Sequence, residues 1–231
     1  EIYLPPFEAA AAVGTASYMT AFNALGGVPT TANEALLRGV LRTEWRYDGV
    51  LVSDWRSIDE LMAHGVAASR AEAARLALDA SVDMDMVSDV YAEELGALAD
   101  ADPAVMARLD EAVRRILAVK RDLGLFDDPY KYHDAAREAA VMLTPEHRAE
   151  ARRIAERSIV LLQNEGDVLP LAREAGRIAL IGALADNAFT QLGSWRARGQ
   201  EADVVTVRAA LEAAHRDVVY VPEGVEAAVA A

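Results

Sequence analysis

Apolar positions along this chain fall either into short continuous runs or into stripes at helical spacing. The run Gly49-Val50-Leu51-Val52 is β-branched and stops at Ser53-Asp54-Trp55, a pattern that predicts a strand buried on both faces. Ala16 to Phe22 reads as an earlier strand, and Ser81 to Met86, with alternating side chains, as a later one. Helical stripes lie between them. Asn33 caps a helix carrying Leu36, Leu37, Val40 and Leu41, while Ser57 with Glu60, and Ser69 with Glu72, have the spacing of capping boxes. Phe22, Asp54 and Met86 therefore close three strands at intervals of about thirty residues, the length of one βα unit in a parallel α/β fold.

The flanking segments follow the same punctuation. Glu8 to Val13 is the Ala-rich tail of a helix closed by Gly14, and Asn23 to Pro29 is turn chemistry. Tyr91 to Leu98 forms one helix, and Met106, Leu109, Val113, Ile116 and Leu117 stripe the next, which Gly124 ends. A turn at Asp127-Asp128-Pro129-Tyr130 leads into Lys131 to Leu143, a charged, Ala-rich stretch read as a surface linker. Thr144-Pro145 starts a helix toward Ser158, whose charged surface from Glu146 to Arg157 is a solvated face. Composition then changes at Asn164 to Leu171. A strand at Ile178 to Gly182, a helix over Val207 to Ala214 and a strand at Val218 to Val221 open a second α/β domain.

Asp54 carries the chemical question. An Asp after a strand most often caps the next helix or tightens a turn. At the C-terminal mouth of a parallel strand, however, it stands where α/β barrels display catalytic groups. Three strand ends at one spacing favour the second reading, with the capping duty passing to Ser57. Asp83 and Asp85 share a strand face; such residues more often bond backbone amides or cap a helix than hold a ligand. Met84 and Met86 fall on the other face and read as core, with Met86 at the strand mouth also a pocket-wall candidate.

Composition narrows the partners. The 231 residues are 53% hydrophobic, enough for a sizeable core, and 23 basic against 37 acidic residues leave a formal charge of -14. That charge argues against nucleic acid or an anionic membrane and is compatible with a neutral ligand such as a sugar. No Cys is present, so there is no thiolate nucleophile and no disulfide; four scattered His, at 64, 133, 147 and 215, argue against a metal site. No metal and no cofactor are expected. No apolar run reaches membrane-spanning length, and Glu1-Ile2-Tyr3-Leu4 lacks the features of a signal peptide, which leaves an upstream leader open.

The pieces Met19 to Asn23, Gly49 to Trp55, Val82 to Met86, Lys120 to Pro129, Ser158 to Asn164, Leu169-Pro170-Leu171 and Ile178 to Gly182 occur in one order. In that order the chain resembles an internal segment of the glycoside hydrolase family 3 β-glucosidases of the bacterial periplasmic type. The resemblance implies an α/β chain made of the C-terminal part of a (β/α)8 TIM-like barrel over 1–130, a linker and connecting helix over 131–172, and the start of an α/β sandwich domain over 173–231. It implies Asp54 as the catalytic nucleophile of a retaining, exo-acting β-glucosidase and Trp55 as the aromatic beside the bound sugar. Met19 and Phe22 match glycone-pocket positions, with Phe22 standing where a Tyr is usual, and Gly26 standing where an Asn is usual. Trp195 resembles a loop residue of the second domain that leans over the pocket. The acid/base comes in this family from later than this chain reaches, so none is assigned.

A small carbohydrate is thus the expected partner, and a periplasmic or secreted location is what the family implies, with the cytoplasm still open. Two rivals stand beside this. One is β-xylosidase or another glycone specificity on the same fold. The other is a non-catalytic structural or interaction segment, because a partial barrel exposes strand edges that invite a complementing chain or a homo-oligomer.

Overall fold

A computed structural model describes residues 2–172, 176–214, 217–224 and 229. Its chain folds as two compact units, the first running to Met142 and the second starting at Leu143. His215 and the first residues of the expected 173–231 domain lie outside the described residues.

The first unit opens with helix α1 (Leu4–Ala12), ended by Gly14 at φ +79, where a left-handed residue without Cβ avoids strain. Strand β1 (Ser17–Met19) follows, then a hairpin of β2 (Ala24–Leu25) and β3 (Val28–Pro29). Gly26 and Gly27 make its two-residue turn, both at positive φ, so the Gly at 26 serves the turn as well as an Asn would. After a 3₁₀ turn at Thr30–Ala32, Asn33 Oδ1 accepts the Leu36 N–H at 3.0 Å and caps the helix Ala35–Glu44. That helix is wound wider than an α-helix, its last turn closing from Trp45 N–H to Val40 O at 3.0 Å.

Strand β4 (Val50–Val52) lies parallel to β1, with Ser17, Tyr18 and Met19 opposite Val50, Leu51 and Val52. Gly49 admits this approach: a Cβ there would stand 2.7 Å from Ala16 O and 2.3 Å from the Tyr47 hydroxyl. Helices α2 (Glu60–Ala63), α3 (Arg70–Asp79), α4 (Val90–Ala101) and α5 (Pro103–Asp122) complete the core. Ser69 Oγ accepts the Glu72 N–H at 3.2 Å and starts α3 as the spacing requires. Leu51, Ile58, Leu61, Leu78, Val82, Val90 and Val105 are buried between strands and helices.

Several expectations fail here for identifiable reasons. The Ser57–Glu60 box does not form: the Glu60 N–H bonds Arg56 O at 3.0 Å, and the buried Ser57 Oγ instead accepts from Thr31 Oγ1 at 2.9 Å. Ser81 to Met86 is not a regular strand. Asp83 N–H and Met84 N–H both go to Leu51 O, at 2.8 and 3.1 Å, and only a parallel bridge from Val52 to Met84 remains. Met84 is 42% exposed rather than core. It shares with Met19 the sheet face that the helices leave uncovered, since Met19 pairs with Val52 and Val52 with Met84. On α5 the buried positions are Val105 and Ala112, while Met106, Val113 and Leu117 stand exposed. The linker contains an exposed helix, α6 (Ala135–Val141), because Asp134 Oδ1 accepts the Arg137 N–H at 2.9 Å.

The second unit begins with α7 (Pro145–Ser158), capped by Thr144, and contains parallel strands β5 (Ile178–Ile181) and β6 (Val218–Val221). Between them lie the short α8 (Ala188–Gln191) and α9 (Val207–Ala214), the helix expected from the sequence. The two units together make a mixed α/β chain.

Asp83 ties the first unit together. Its carboxylate accepts the Leu51 N–H at 2.8 Å, Arg42 Nη2 at 2.6 Å and Arg115 Nη1 at 2.9 Å, with only 1% of the side chain exposed. Burial pushes this carboxyl above its ordinary value, opposed by Arg42, the Leu51 amide and Arg115. Removing the carboxylate strands a buried Arg42, so Asp83→Ala is expected to destabilise the fold by about 3–5 kcal/mol. Chemical denaturation of wild type and variant measures this; a change under 1 kcal/mol is not compatible with a buried hub (~3 kcal/mol at least).

Candidate active site

The candidate site is the C-terminal edge where β1, β4 and the 82–86 segment end side by side. Thr20 N–H bonds Val52 O at 2.9 Å, and Ser53 N–H bonds Met84 O at 2.8 Å, so the three ends are stitched at one level. Ser53 continues the stitching with its side chain. Fully buried, its Oγ accepts the Met86 N–H at 2.7 Å and donates to Asp54 O at 3.0 Å. Arg56 N–H then bonds Met86 O at 2.9 Å.

Asp54 is half-buried at this edge. Its Oδ1 accepts the Trp55 N–H at 2.6 Å, a charge-assisted bond that orients the carboxylate. Its own N–H points to Thr20 Oγ1 at 3.4 Å, and its carbonyl takes the Ser57 N–H at 3.1 Å. The chain leaves the strand sharply, with Arg56 at φ +56. Arg56 and Arg70 both pair with Asp59, at 2.6 and 2.8 Å, which pins the turn after Trp55.

The neighbours expected from the sequence divide into two groups. Met19, Trp55 and Met86 come from the three adjoining strand ends that hold Asp54, and Phe22 lies two residues beyond Thr20. Trp55 is 51% exposed, free to offer a ring face; Met19 and Phe22 are exposed and Met86 half-buried. Trp195 belongs to the second unit, in a loop, 78% exposed. Asp85 serves the start of α4, its carboxylate accepting from the Ser88 hydroxyl and the Tyr91 N–H, and Asp83 bonds the Leu51 amide, so both carboxylates are engaged within the fold.

A cavity of about 650 Å³ in the first unit is lined by Phe7, Tyr18, Met19, Leu36, Leu41 and Trp45, and Asp54 is not among its lining residues. Its lining is mostly apolar, with Tyr18, Asn23 and Thr30 among its polar groups, whereas Asp54 stands at the strand ends. Among the described residues no group of three or more His, Asp or Glu is placed to hold a metal ion.

Sequence reasoning gives no site role to Thr20, Thr31 or Ser53 and reads Ser57 as a cap; the hydroxyls of Thr20 and Ser53 bond the Asp54 backbone, and Thr31 links Thr20 to Ser57. Their only local signal is position, with Thr20 and Ser53 immediately past the ends of β1 and β4.

Residues 1–119 match the glycosyl hydrolase family 3 N terminal domain and residues 159–231 the glycosyl hydrolase family 3 C-terminal domain. The chain is 42% identical over 218 residues to a periplasmic β-glucosidase of Salmonella typhimurium, covering 93% of this chain and 28% of that protein. A β-xylosidase of Formosa agariphila is 39% identical over 209 residues, covering 86% of this chain and 29% of that one. The crystal structure of a β-glucosidase from Listeria innocua in complex with isofagomine superposes with a TM-score of 0.80 at 41% identity, over 98% of this chain and 32% of its own. The chain thus spans under a third of the length of these relatives.

The stitching itself is open to test. Ser53→Ala leaves the buried Met86 N–H without its acceptor, which is expected to lower stability by about 1–3 kcal/mol in chemical denaturation. An unchanged unfolding midpoint would show that the Ser53 hydroxyl does not hold these strand ends together.

Proposed function

This chain belongs to glycosyl hydrolase family 3, and on that premise we propose that its parent protein is a retaining, exo-acting β-glucosidase whose nucleophile is Asp54. The observation that carries the reading is the placement of Asp54. It stands half-buried at the end of a parallel strand, its carboxylate oriented by the Trp55 amide, beside an exposed indole and two further strand ends.

In this mechanism an Asp54 oxygen attacks the anomeric carbon of a terminal β-linked sugar. The glycosidic C–O bond breaks, and the leaving oxygen takes a proton from a carboxylic acid supplied elsewhere in the protein. Water, deprotonated by that same group, then attacks the anomeric carbon and frees Asp54 with net retention. Trp55 offers an apolar ring face to the pyranose, and Met19, Phe22 and Met86 form the wall of the glycone pocket.

The fold belongs to the same proposal. β1, β4 and the 82–86 segment are the last three strands of a (β/α)8 barrel over residues 1–130. Residues 131–172 connect it to a sandwich domain that begins at 173. A sugar substrate is supported by the Listeria innocua enzyme, whose structures hold glucose, gluconolactone and isofagomine. A periplasmic location is supported by the Salmonella typhimurium relative.

The Formosa agariphila relative supports a second specificity, β-xylosidase. Initial rates of the full-length enzyme on aryl β-glucosides and β-xylosides separate the two, with the higher kcat/KM expected on the glucoside.

Asp54 is tested by labelling the full-length enzyme with a 2-fluoro glucoside and mapping the adduct by mass spectrometry. The label is expected on the peptide carrying Asp54, and Asp54→Asn is expected to lower kcat by about four to six orders of magnitude. An adduct on another residue overturns the assignment. The 231 residues by themselves, under a third of the relatives' length, are expected to turn over no aryl glycoside.

A further inference from the structure

Three buried hydroxyls close a circuit around the peptide of Asp54. They come from three elements: Thr20 from the end of β1, Thr31 from the 3₁₀ turn, and Ser57 from the turn after Asp54. Thr31 is 1% exposed and the other two are also buried. Thr20 and Thr31 are 11 residues apart and Thr31 and Ser57 are 26 apart, so tertiary packing rather than local turn geometry brings them together.

The direction of the circuit follows from counting protons. A hydroxyl has one proton to donate and two lone pairs to accept with. Thr31 Oγ1 donates to Ser57 Oγ at 2.9 Å, which uses its one proton. The 2.9 Å contact between Thr20 and Thr31 is therefore donated by Thr20. That leaves a Thr20 lone pair for the Asp54 N–H at 3.4 Å. Donation thus runs from Asp54 N–H through Thr20 and Thr31 to Ser57, whose own N–H returns to Asp54 O at 3.1 Å. The N–H and the carbonyl of Asp54 are thus both tied to this set, and the three bonds from the Asp54 amide through Thr20 and Thr31 to Ser57 Oγ polarise one another in the same sense.

We propose that Thr31 is a positioning residue for the Asp54 carboxylate. It touches neither Asp54 nor the space where a sugar would stack on Trp55. It acts by accepting the Thr20 proton, which turns the Thr20 lone pair toward the Asp54 amide. That amide bond, at 3.4 Å, is the longest of the set and the weakest. Without the Thr31 acceptor, the Thr20 hydroxyl is free to rotate and the Asp54 N–H loses its oriented acceptor, while the bonds from Ser53 Oγ and the Ser57 N–H to Asp54 O remain. The inference rests on the reading of Asp54 as nucleophile.

The test uses the full-length enzyme, a 2-fluoro glucoside and three proteins: wild type, Thr31→Val and Thr31→Ser. The expected adduct lies on Asp54 in all three. The inactivation rate constant of Thr31→Val is expected to fall about tenfold, with the half-saturating inhibitor concentration within about twofold of wild type. Thr31→Ser, which keeps the hydroxyl, is expected within about twofold in both. An adduct on Asp54 formed by Thr31→Val at the wild-type rate overturns the role of Thr31 and leaves the nucleophile standing. Equal slowing of Thr31→Val and Thr31→Ser overturns it too, because the methyl packing would then be what matters. An adduct on a different residue overturns the nucleophile and this inference with it. If Thr31→Val does not fold, Ser57→Ala opens the same ring at its last hydroxyl; slower inactivation is expected, and an unchanged rate overturns the proposal.

Discussion

The buried carboxylate of Asp83 is the constraint on which the first unit depends. Three donors from three elements converge on it: the Leu51 amide of β4, Arg42 of the helix Ala35–Glu44, and Arg115 of α5. Arg42 also reaches the Gly49 carbonyl and, at 3.1 Å, the Tyr47 carbonyl, so the entry to β4 is held by the same guanidinium. Burial lowers the pKa of Arg42 and raises that of Asp83, both in the direction that disfavours the charge. The pair persists because each ion, once buried, is worse off without the other. Its main product is register rather than net stability. With Leu51 fixed to Asp83, the end of β4 falls at Ser53, and Asp54 is delivered to the edge where Thr20 and Met86 meet it.

Much of this was legible in the sequence because it was encoded locally. The run from Gly49 to Trp55 announces a strand and its end, and Asn33, Ser69 and Thr144 cap the helices they precede, since a cap needs only the next three residues. Ser57 had the same local spacing and behaves otherwise. Its hydroxyl is claimed by Thr31, 26 residues upstream, and no window of sequence reveals that partner. The α5 stripe fails in a related way. Two sets at helical spacing share Leu109, one through Val105 and Ala112, the other through Met106 and Val113. The set through Val105 and Ala112 faces the core, and Arg115 on the same side reaches Asp83.

The site divides along the same line. Asp54 and Trp55 stand together because they are adjacent in sequence, and Met19 and Met86 join them because parallel strands end at one edge. The supporting hydroxyls were invisible because Ser and Thr are ordinary surface residues, and only the fold shows that Thr20, Thr31, Ser53 and Ser57 are buried and bonded around the Asp54 strand end. Polar residues packed this deeply are useful only when satisfied, and here each hydroxyl is bonded to a strand end or a turn that carries the candidate nucleophile.

The sheet of the first unit has one covered face and one bare face, and this asymmetry bears on the chemistry. Leu51 and Tyr18 turn toward the helices, whereas Met19 and Met84 stand in a row on the opposite side, both largely open to solvent. Parallel strands are ordinarily buried on both faces. In the barrel proposed for the parent protein, that second face turns inward, with Met84 packed beneath the pocket and Met19 in its wall. Closing it changes Asp54 as well. A carboxylate at a water-filled edge is well solvated and a poor nucleophile, and its attack on an anomeric carbon gains from a site that excludes water and fixes the sugar above it. The strand ends described here set where the carboxylate points; how strongly it reacts depends on the walls that enclose it.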